Sequence, residues 1–324
     1  MRVLITGITG RIGANLAARL LQEGHQVRGL VWPRDPRVEK LRHLELDLRE
    51  GTVVDPAVTG AIVEDIDVVY HLAAAFQGGG PFTAEEYFDI NVRGLFNMLE
   101  AAKVHDGIAQ FVFASTDAVL DKYVPGGPEV LREDEQPREP ADWYSLSKAM
   151  GEEMCGGYFR MGAVPVTILR FPMVFGIGEV LDFPTFYLSK ARGSYGLDAD
   201  WDGEERLVVL RDADGRSYRK HAADVRDIVS GLAAALEKTG AAGATIQLGG
   251  PGPFTWEEAV PHLSTCLDIP YIDARVIEGP PCCYEHDLTK AHTLLDWRPR
   301  YDIIRMIDDA LAFRRGDDVG VLPV

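Results

Sequence analysis

The chain has 324 residues, 46% of them hydrophobic and 26% charged, with a formal net charge of −17. That is the length and make-up of an ordinary globular protein with one large core or two closely joined ones. So acidic a chain repels phosphate backbones, which excludes nucleic acid or an anionic membrane as a general partner but leaves room for a small anion at a local positive site.

The first strand is predicted at "RVLIT", a short apolar run rich in β-branched residues. "IGANLAARLLQEG" then reads as a helix, with Ile12, Leu16 and Leu20 on one stripe and Gly24 as its stop. Further strands are expected at "QVRGLV", "HLELDL", "VVYHLAA", "FVFAS" and "VTILRF". Continuous apolar strands alternating with helices predict an α/β fold, a doubly wound parallel sheet of the Rossmann type. The pattern changes after Arg170. "FPMVFGIGEVLDFP" reads as loop, and "RLVVLRDADGRSYRK" (206–220) as a hairpin around an Asp-Gly turn. "ADVRDIVSGLAAALEKTG" returns to helix and "ATIQLGG" to strand. Thr255 and Glu258 stand at capping-box spacing before another helix, and "DLTKAHTLLDW" is a further one. The expected division is a dinucleotide-binding Rossmann domain from 1–171 plus 221–249. A smaller, discontinuous substrate-binding lobe takes 172–220 plus 250–324.

Met1 leads straight into the first strand without a signal peptide, and no apolar run approaches the length of a membrane span. Cys155, Cys266, Cys282 and Cys283 lack Cys-x-x-Cys spacing and are joined by no histidine cluster, so no metal site is expected. The inference is a cytoplasmic protein with reduced thiols.

"TGITGRIG" places Gly7, Gly10 and Gly13 between the first strand and the first helix. Glycines let the backbone turn tightly and approach a pyrophosphate, and the helix N-terminus offers N–H groups and a positive dipole end. A dinucleotide is therefore the expected ligand. Its identity stays open between NAD and NADP. An NAD site usually has an acid at the end of the second strand, where this chain has Val31 and Trp32. Arg34 suits a 2′-phosphate, Asp35 suits a ribose, and Trp32 suits the flank of an adenine.

Tyr144 and Lys148 are four apart and share one helix face. An ammonium beside a phenol stabilises the phenolate and draws its pKa from about 10 towards neutral, which makes Tyr144 a general acid/base. Lys148 also suits the nicotinamide ribose. Thr116, at the end of the strand before, suits the reacting oxygen. Ser115 is expected to support the strand end, and Asp117 to face the pocket mouth as a substrate contact.

These features resemble the extended short-chain dehydrogenases/reductases, also called NAD-dependent epimerase/dehydratases. The resemblance is carried by "TGITGRIG", "LDL", "HLAA", "NVRG", "FASTDAV", "YSLSK", "LRFPMVFG", "ADVRDI" and "DWRPRYD", nearly the whole length of the chain. It implies that Gly7, Gly10 and the Arg11 and Ile12 amides lie on the pyrophosphate. It implies that Asp47 and Leu48 contact the adenine, and that Leu72, Ala73 and Ala74 line the ribose and nicotinamide side. Asn91 would sit behind the site, with Phe171, Pro172 and Val174 over the nicotinamide. Thr116, Tyr144 and Lys148 would be the catalytic set. Helices near 85–104 and 144–161 pair subunits in such proteins, which implies a homodimer.

The resemblance also bears on the reaction. Dehydratases of the family read "STDEVYG" where this chain reads "STDAVLD", so Ala118 replaces the glutamate that handles a proton. Dehydration therefore ranks below epimerase and dehydrogenase chemistry. The Asn and Arg typical of sugar-nucleotide members are absent, with Arg216 and Arg219 close but offset. Phe76, Gln77, Thr116, Asp117, Met173, Arg216 and Arg219 are the candidate substrate contacts. The leading expectation is an oxidoreductase or epimerase acting at a secondary alcohol or ketone of a sugar, sugar acid or sugar nucleotide. An NADP-dependent reductase of a non-sugar carbonyl compound is the alternative. The intact catalytic set argues against a dinucleotide-sensing regulator.

Overall fold

A computed structural model of the chain describes residues 1–76, 80, 82–105, 107–134 and 140–324. The first half runs β1 (Arg2–Thr6), α1 (Arg11–Gln22), β2 (Gln26–Val31), β3 (Asp47–Glu50), α2 (Pro56–Ile62), β4 (Val68–His71), α3 (Ala84–Tyr87), α4 (Gly94–Val104) and β5 (Gln110–Thr116). Next come β6 (Val130–Leu131), α5 (Trp143–Arg160), β7 (Val166–Phe171), β8 (Met173–Phe175), α6 (Leu188–Ala191), β9 (Gly196–Leu197), β10 (Leu207–Arg211), β11 (Arg219–Lys220), β12 (Ala222–Asp224) and α7 (Val225–Glu237). Last are β13 (Thr245–Gln247), β14 (Phe254–Thr255), α8 (Trp256–Leu267), β15 (Tyr271–Glu278), β16 (Glu285–His286), α9 (Thr289–Leu295) and α10 (Ile303–Arg314).

Seven strands form one parallel sheet in the order β13-β7-β5-β4-β1-β2-β3. Strand alternation sorts the side chains onto two faces. Val3 and Ile5 of β1 pack with Leu16 and Leu20 of α1 and Leu232 of α7. Leu4 faces the other way, towards Leu95, Met98 and Leu99 of α4. The chain leaves β1 towards β2 on one side and β4 on the other. That reversal opens a crevice at the carboxyl edge, where open α/β sheets bind ligands. Thr6 pairs with His71 there, and Thr116 with Phe171.

A second core gathers around Trp256, Phe186, Leu210 and Ile307. It draws in part of the stretch expected to be loop. β8 forms there, and short 3₁₀ turns at Glu179–Asp182 and Pro184–Phe186 bury Val180, Leu181 and Phe186. The Asp-Gly turn closes as expected, with Gly215 at φ 82° and Tyr218 N–H donating to Leu210 O at 2.8 Å. The two strands then part: β10 pairs with β15, and β11 with β14. β10 reads Leu-Val-Val-Leu with no exposed residue among the four, so it takes its ladder from within the core. α9 departs from the expected division, because Ala291, Leu295 and nearby Trp297 belong to the first core. The third strand starts later than "HLELDL" suggests, at Asp47, which pairs with Arg28 in β2.

Between α3 and α4 a π-helical turn, Phe88–Arg93, carries Asn91 inward. Among the described residues, no helix is long and apolar enough to cross a membrane.

Candidate active site

The glycine turn has the geometry a pyrophosphate needs. Gly7 sits at φ 73°, and a Cβ there would come within 2.7 Å of Ala73 N. A Cβ on Gly13 would lie 2.3 Å from Gly7 O. Gly10 precedes α1 with no side-chain cap, which leaves first-turn N–H groups free for phosphate oxygens. Ile12 follows in that first turn. The Arg11 side chain turns aside, donating to Val174 O at 2.9 Å and Glu179 Oε2 at 2.6 Å. Leu72, Ala73 and Ala74 continue from β4. Thr6 Oγ1 accepts from Ala73 N–H at 3.2 Å and lies 3.0 Å from His71 Nδ1, which fixes that edge.

At the far end, Asp47 is held by Arg28 Nε and Arg49 Nε, each at 2.7 Å, and Leu48 lies beside Gly29 in β2. Trp32 is 52% exposed beyond β2. Arg34 is exposed at φ 61°. Asp35 does not have the free carboxylate expected of a ribose ligand. It is buried, its Oδ2 accepts from Thr9 Oγ1 at 2.7 Å, and Arg37 grips both oxygens. The Arg37 bonds hold its pKa down, to about 2. Arg37 was not singled out in the sequence, because only the turn after Asp35 brings it there.

Thr116, Tyr144 and Lys148 come together at the carboxyl edge of β5. The Thr116 hydroxyl lies close enough to the Tyr144 phenol to act on its acidity. Lys148 Nζ donates to Ala114 O at 2.7 Å and lies 4.9 Å from the Phe113 ring centre. Asn91 braces this helix. It exchanges hydrogen bonds with Ala75 N–H and O, at 2.8 and 2.9 Å, and donates to Ser147 Oγ at 2.8 Å. Ser147 in turn donates to Tyr144 O at 2.7 Å.

The acidities differ from the expectation. Burial pushes the Tyr144 phenol up, and the Asp117 charge adds to that, while the nearby Thr116 hydroxyl pulls it down. Burial pushes Lys148 down, to about 8. The Lys148 ammonium is turned to the Ala114 carbonyl, and the charges that act on the phenol are acidic ones, Asp117 first.

Ser115 supports the strand end as expected, donating to Glu152 Oε1 at 2.6 Å. Asp117 is not at a pocket mouth. It is 2% exposed, with Lys122 Nζ 2.5 Å from Oδ1 and His286 Nε2 3.3 Å from Oδ2. Phe171 ends β7, Pro172 follows, and Val174 and the 36%-exposed Met173 lie in β8. Phe76 is exposed below the Arg11 guanidinium, 5.8 Å from it. Gln77 lies outside the described residues. Neither candidate arginine is free. Arg216 pairs with Asp212 at 2.8 Å and Asp214 at 3.3 Å, and Arg219 with Glu129 at 3.1 Å and Glu285 at 3.7 Å.

The cysteines need one correction. All four are free, but His262 stands one helical turn before Cys266, at 3.7 Å, and meets Asp308 at 2.7 Å. Their ligand atoms lie within 4.8 Å of one another, on α8 and α10, elements that carry none of Thr116, Tyr144 and Lys148.

Residues 3–249 match the model of the NAD dependent epimerase/dehydratase family. A Bacillus subtilis protein described as an uncharacterized UDP-glucose epimerase is 27% identical, over 97% of this chain and 98% of its own. A 3 beta-hydroxysteroid dehydrogenase/Delta 5→4-isomerase of Mycobacterium tuberculosis is 30% identical over 59% of this chain and 52% of its own. Among solved structures, a short-chain dehydrogenase/reductase superfamily protein of Agrobacterium tumefaciens with bound NAD superposes with TM-score 0.83 at 27% identity, covering 98% of each chain. The UDP-glucuronic acid 4-epimerase of Bacillus cereus shares the fold, with TM-score 0.75 over 98% of this chain and 100% of its own at 23% identity. The chain belongs to the NAD-dependent epimerase/dehydratase family and is an NAD-dependent enzyme of the extended short-chain dehydrogenase/reductase type.

Proposed function

We propose that the protein oxidises and reduces a secondary alcohol or ketone of a sugar-like substrate, as an epimerase or dehydrogenase, with Tyr144 as general acid/base. The observation that carries this reading is the Thr116 hydroxyl at the carboxyl end of β5 acting on the Tyr144 phenol, with Lys148 one helical turn on. A bound nicotinamide supplies the hydride acceptor or donor. The chain supplies the rest. Thr116 orients the reacting oxygen, and Tyr144 takes its proton on oxidation and returns it on reduction. The Lys148 ammonium, once swung from Ala114 O towards the phenol, lowers the cost of the phenolate. Ala118 offers no base for elimination, which sets dehydration aside.

NAD is the favoured cofactor, in keeping with the NAD bound in the Agrobacterium tumefaciens structure. Arg34 and Arg37 make NADP the alternative to measure. A screen of sugars, sugar acids and sugar nucleotides with both cofactors tests this reading. Reduced nicotinamide or an epimer product is expected from at least one compound, with a higher kcat/KM for NAD. A panel that yields neither contradicts it.

We also propose a homodimer built on α4 and α5. Phe96 and Val104 of α4, and Leu146 and Met150 of α5, are exposed apolar side chains. Such a row is typical of a covered interface. Met150→Asp is expected to halve the particle mass in analytical ultracentrifugation. An unchanged sedimentation coefficient contradicts this interface.

A further inference from the structure

We propose that His262, Cys266 and Asp308 form a surface site for a Zn²⁺ ion, or a divalent transition ion of like softness, and that the ion ties α8 to α10. The site lies on elements apart from the catalytic set and does not rest on the reading of the reaction given above.

His262 and Cys266 stand four apart on α8, so their side chains leave the same helix face. Asp308 comes from α10, which packs against α8. The three donors converge on the histidine ring: His262 Nε2 lies 2.7 Å from Asp308 Oδ1 and 3.7 Å from Cys266 Sγ. All three ligand atoms fall within 4.8 Å of one another. Tetrahedral zinc, with bonds of about 2.0–2.3 Å, holds its ligand atoms roughly 3.3–3.6 Å apart. The observed separations lie on both sides of that spacing. Cys266 and Asp308 are exposed, so small side-chain rotations close the difference. The backbones that carry them are fixed. Leu263, next to His262, and Ile307, next to Asp308, are fully buried in the second core. The two helices therefore hold the ligands close together before an ion arrives, which lowers the ordering cost of binding.

The residue types decide which ion fits. An ion pair accounts for His262 and Asp308 but gives the thiol no part; a bound ion uses all three. Imidazole, thiolate and carboxylate together suit zinc, whereas magnesium and calcium take oxygen ligands. Arg226 and Arg305 pair with the adjacent Asp309, which leaves the Asp308 carboxylate to the histidine. Burial and the Asp308 charge push the Cys266 thiol up, so it is protonated near neutral pH. Coordination releases that proton to solvent, moves the ring proton to Nδ1 and places the Nε2 lone pair on the ion. Thiolate and carboxylate then offset both charges of the dication, and water takes the remaining position. An ion bound by the folded chain across two helices adds to its stability.

The test titrates untagged, chelator-treated protein with Zn²⁺ alone by calorimetry and with Co²⁺ by absorbance. One Zn²⁺ per chain is expected to bind and to raise Tm, and Co²⁺ is expected to show a thiolate charge-transfer band. Mg²⁺ is expected to do neither. Cys266→Ser and His262→Ala are each expected to weaken Zn²⁺ binding at least about tenfold and to abolish the Tm gain, with the cobalt band lost in Cys266→Ser. Metal-free Tm should match wild type in Cys266→Ser, since the residue is exposed. Cys283→Ser, at the other exposed cysteine, is expected to keep both zinc affinity and cobalt band. The proposal is overturned if no Zn²⁺ binds, if Mg²⁺ binds as tightly, or if Cys266→Ser keeps the affinity and the band. Loss of both in Cys283→Ser also overturns it, by placing the ion elsewhere.

Discussion

Tyr144→Phe is expected to lower turnover by about 10³-fold, within the range for losing a positioned general acid/base. NAD binding is expected to stay within a few-fold of wild type. The phenolic hydroxyl is the only group removed, and the glycine turn proposed to take the pyrophosphate is on another element. Stability should barely change, because the Tyr144 ring keeps its packing near Tyr87, 6.5 Å away between centres. Burial raises the phenol's pKa, so Tyr144 is a proton carrier that must be helped into its phenolate form. That makes Lys148→Met a milder version of the same defect, with the loss smallest at high pH. Steady-state kinetics of both variants, with cofactor titration by fluorescence, checks this. A Tyr144→Phe enzyme within tenfold of wild type would contradict the assignment.

Arg170→Met is expected to destabilise the fold by about 3–5 kcal/mol, the cost of stranding a buried charge. Arg170 and Glu152 are each 1% exposed in their side chains and meet in a fork, Nε to Oε1 at 2.8 Å and Nη2 to Oε2 at 2.7 Å. Ser115 donates to the same Oε1, and Arg170 Nη1 donates to Glu133 O at 3.0 Å. The pair therefore ties β7 and β5 to α5, the three elements that hold Phe171, Thr116 and Tyr144. Without the guanidinium, Glu152 stays in a dry interior beside the strand end. Thermal unfolding should drop by roughly 10 °C, given a few degrees per kcal/mol in a chain of this size. Adding Glu152→Met should restore much of the loss, since a matched apolar pair is often neutral where a broken ion pair is not. A single variant losing under about 1 kcal/mol would contradict this reading of the pair.

The parts of the site that sequence makes legible are those whose reason is local. Gly13 is forced by a backbone approach within the turn and Gly7 by its positive φ, so their spacing announces them, although Gly7 also lies against Ala73 from the end of β4. Tyr144 and Lys148 share a helix face, and four residues of spacing is enough to see it. Asp227 in "ADVRDI" and Arg300 and Tyr301 in "DWRPRYD" stand out in the sequence only by resemblance. Their reason is that the Asp227 carboxylate accepts from both later N–H groups, at 2.8 and 3.0 Å. Nothing local links Lys122, Lys220 and His286, so sequence does not show them together; they meet only after β11 and β16 return past the end of β5. Asp117 reads as a pocket-mouth group in sequence because His286, which helps bury it, is distant along the chain and Lys122 reaches it only across the turn after β5. Tyr144's acidity departs from the helix-spacing expectation for a related reason: spacing shows a neighbour, while burial belongs to the whole fold.

The central claim is that hydride leaves the substrate as its proton passes to Tyr144. A single-turnover, rapid-mixing experiment tests it most directly, with the NAD-loaded enzyme in excess over the substrate found in the screen. The absorbance of reduced nicotinamide is followed beside product formation. Reduced nicotinamide is expected to form within the turnover, transiently for an epimerase and lastingly for a dehydrogenase, and to form about 10³-fold more slowly in Tyr144→Phe. Product formed at full rate with no reduced nicotinamide at any time would contradict the account.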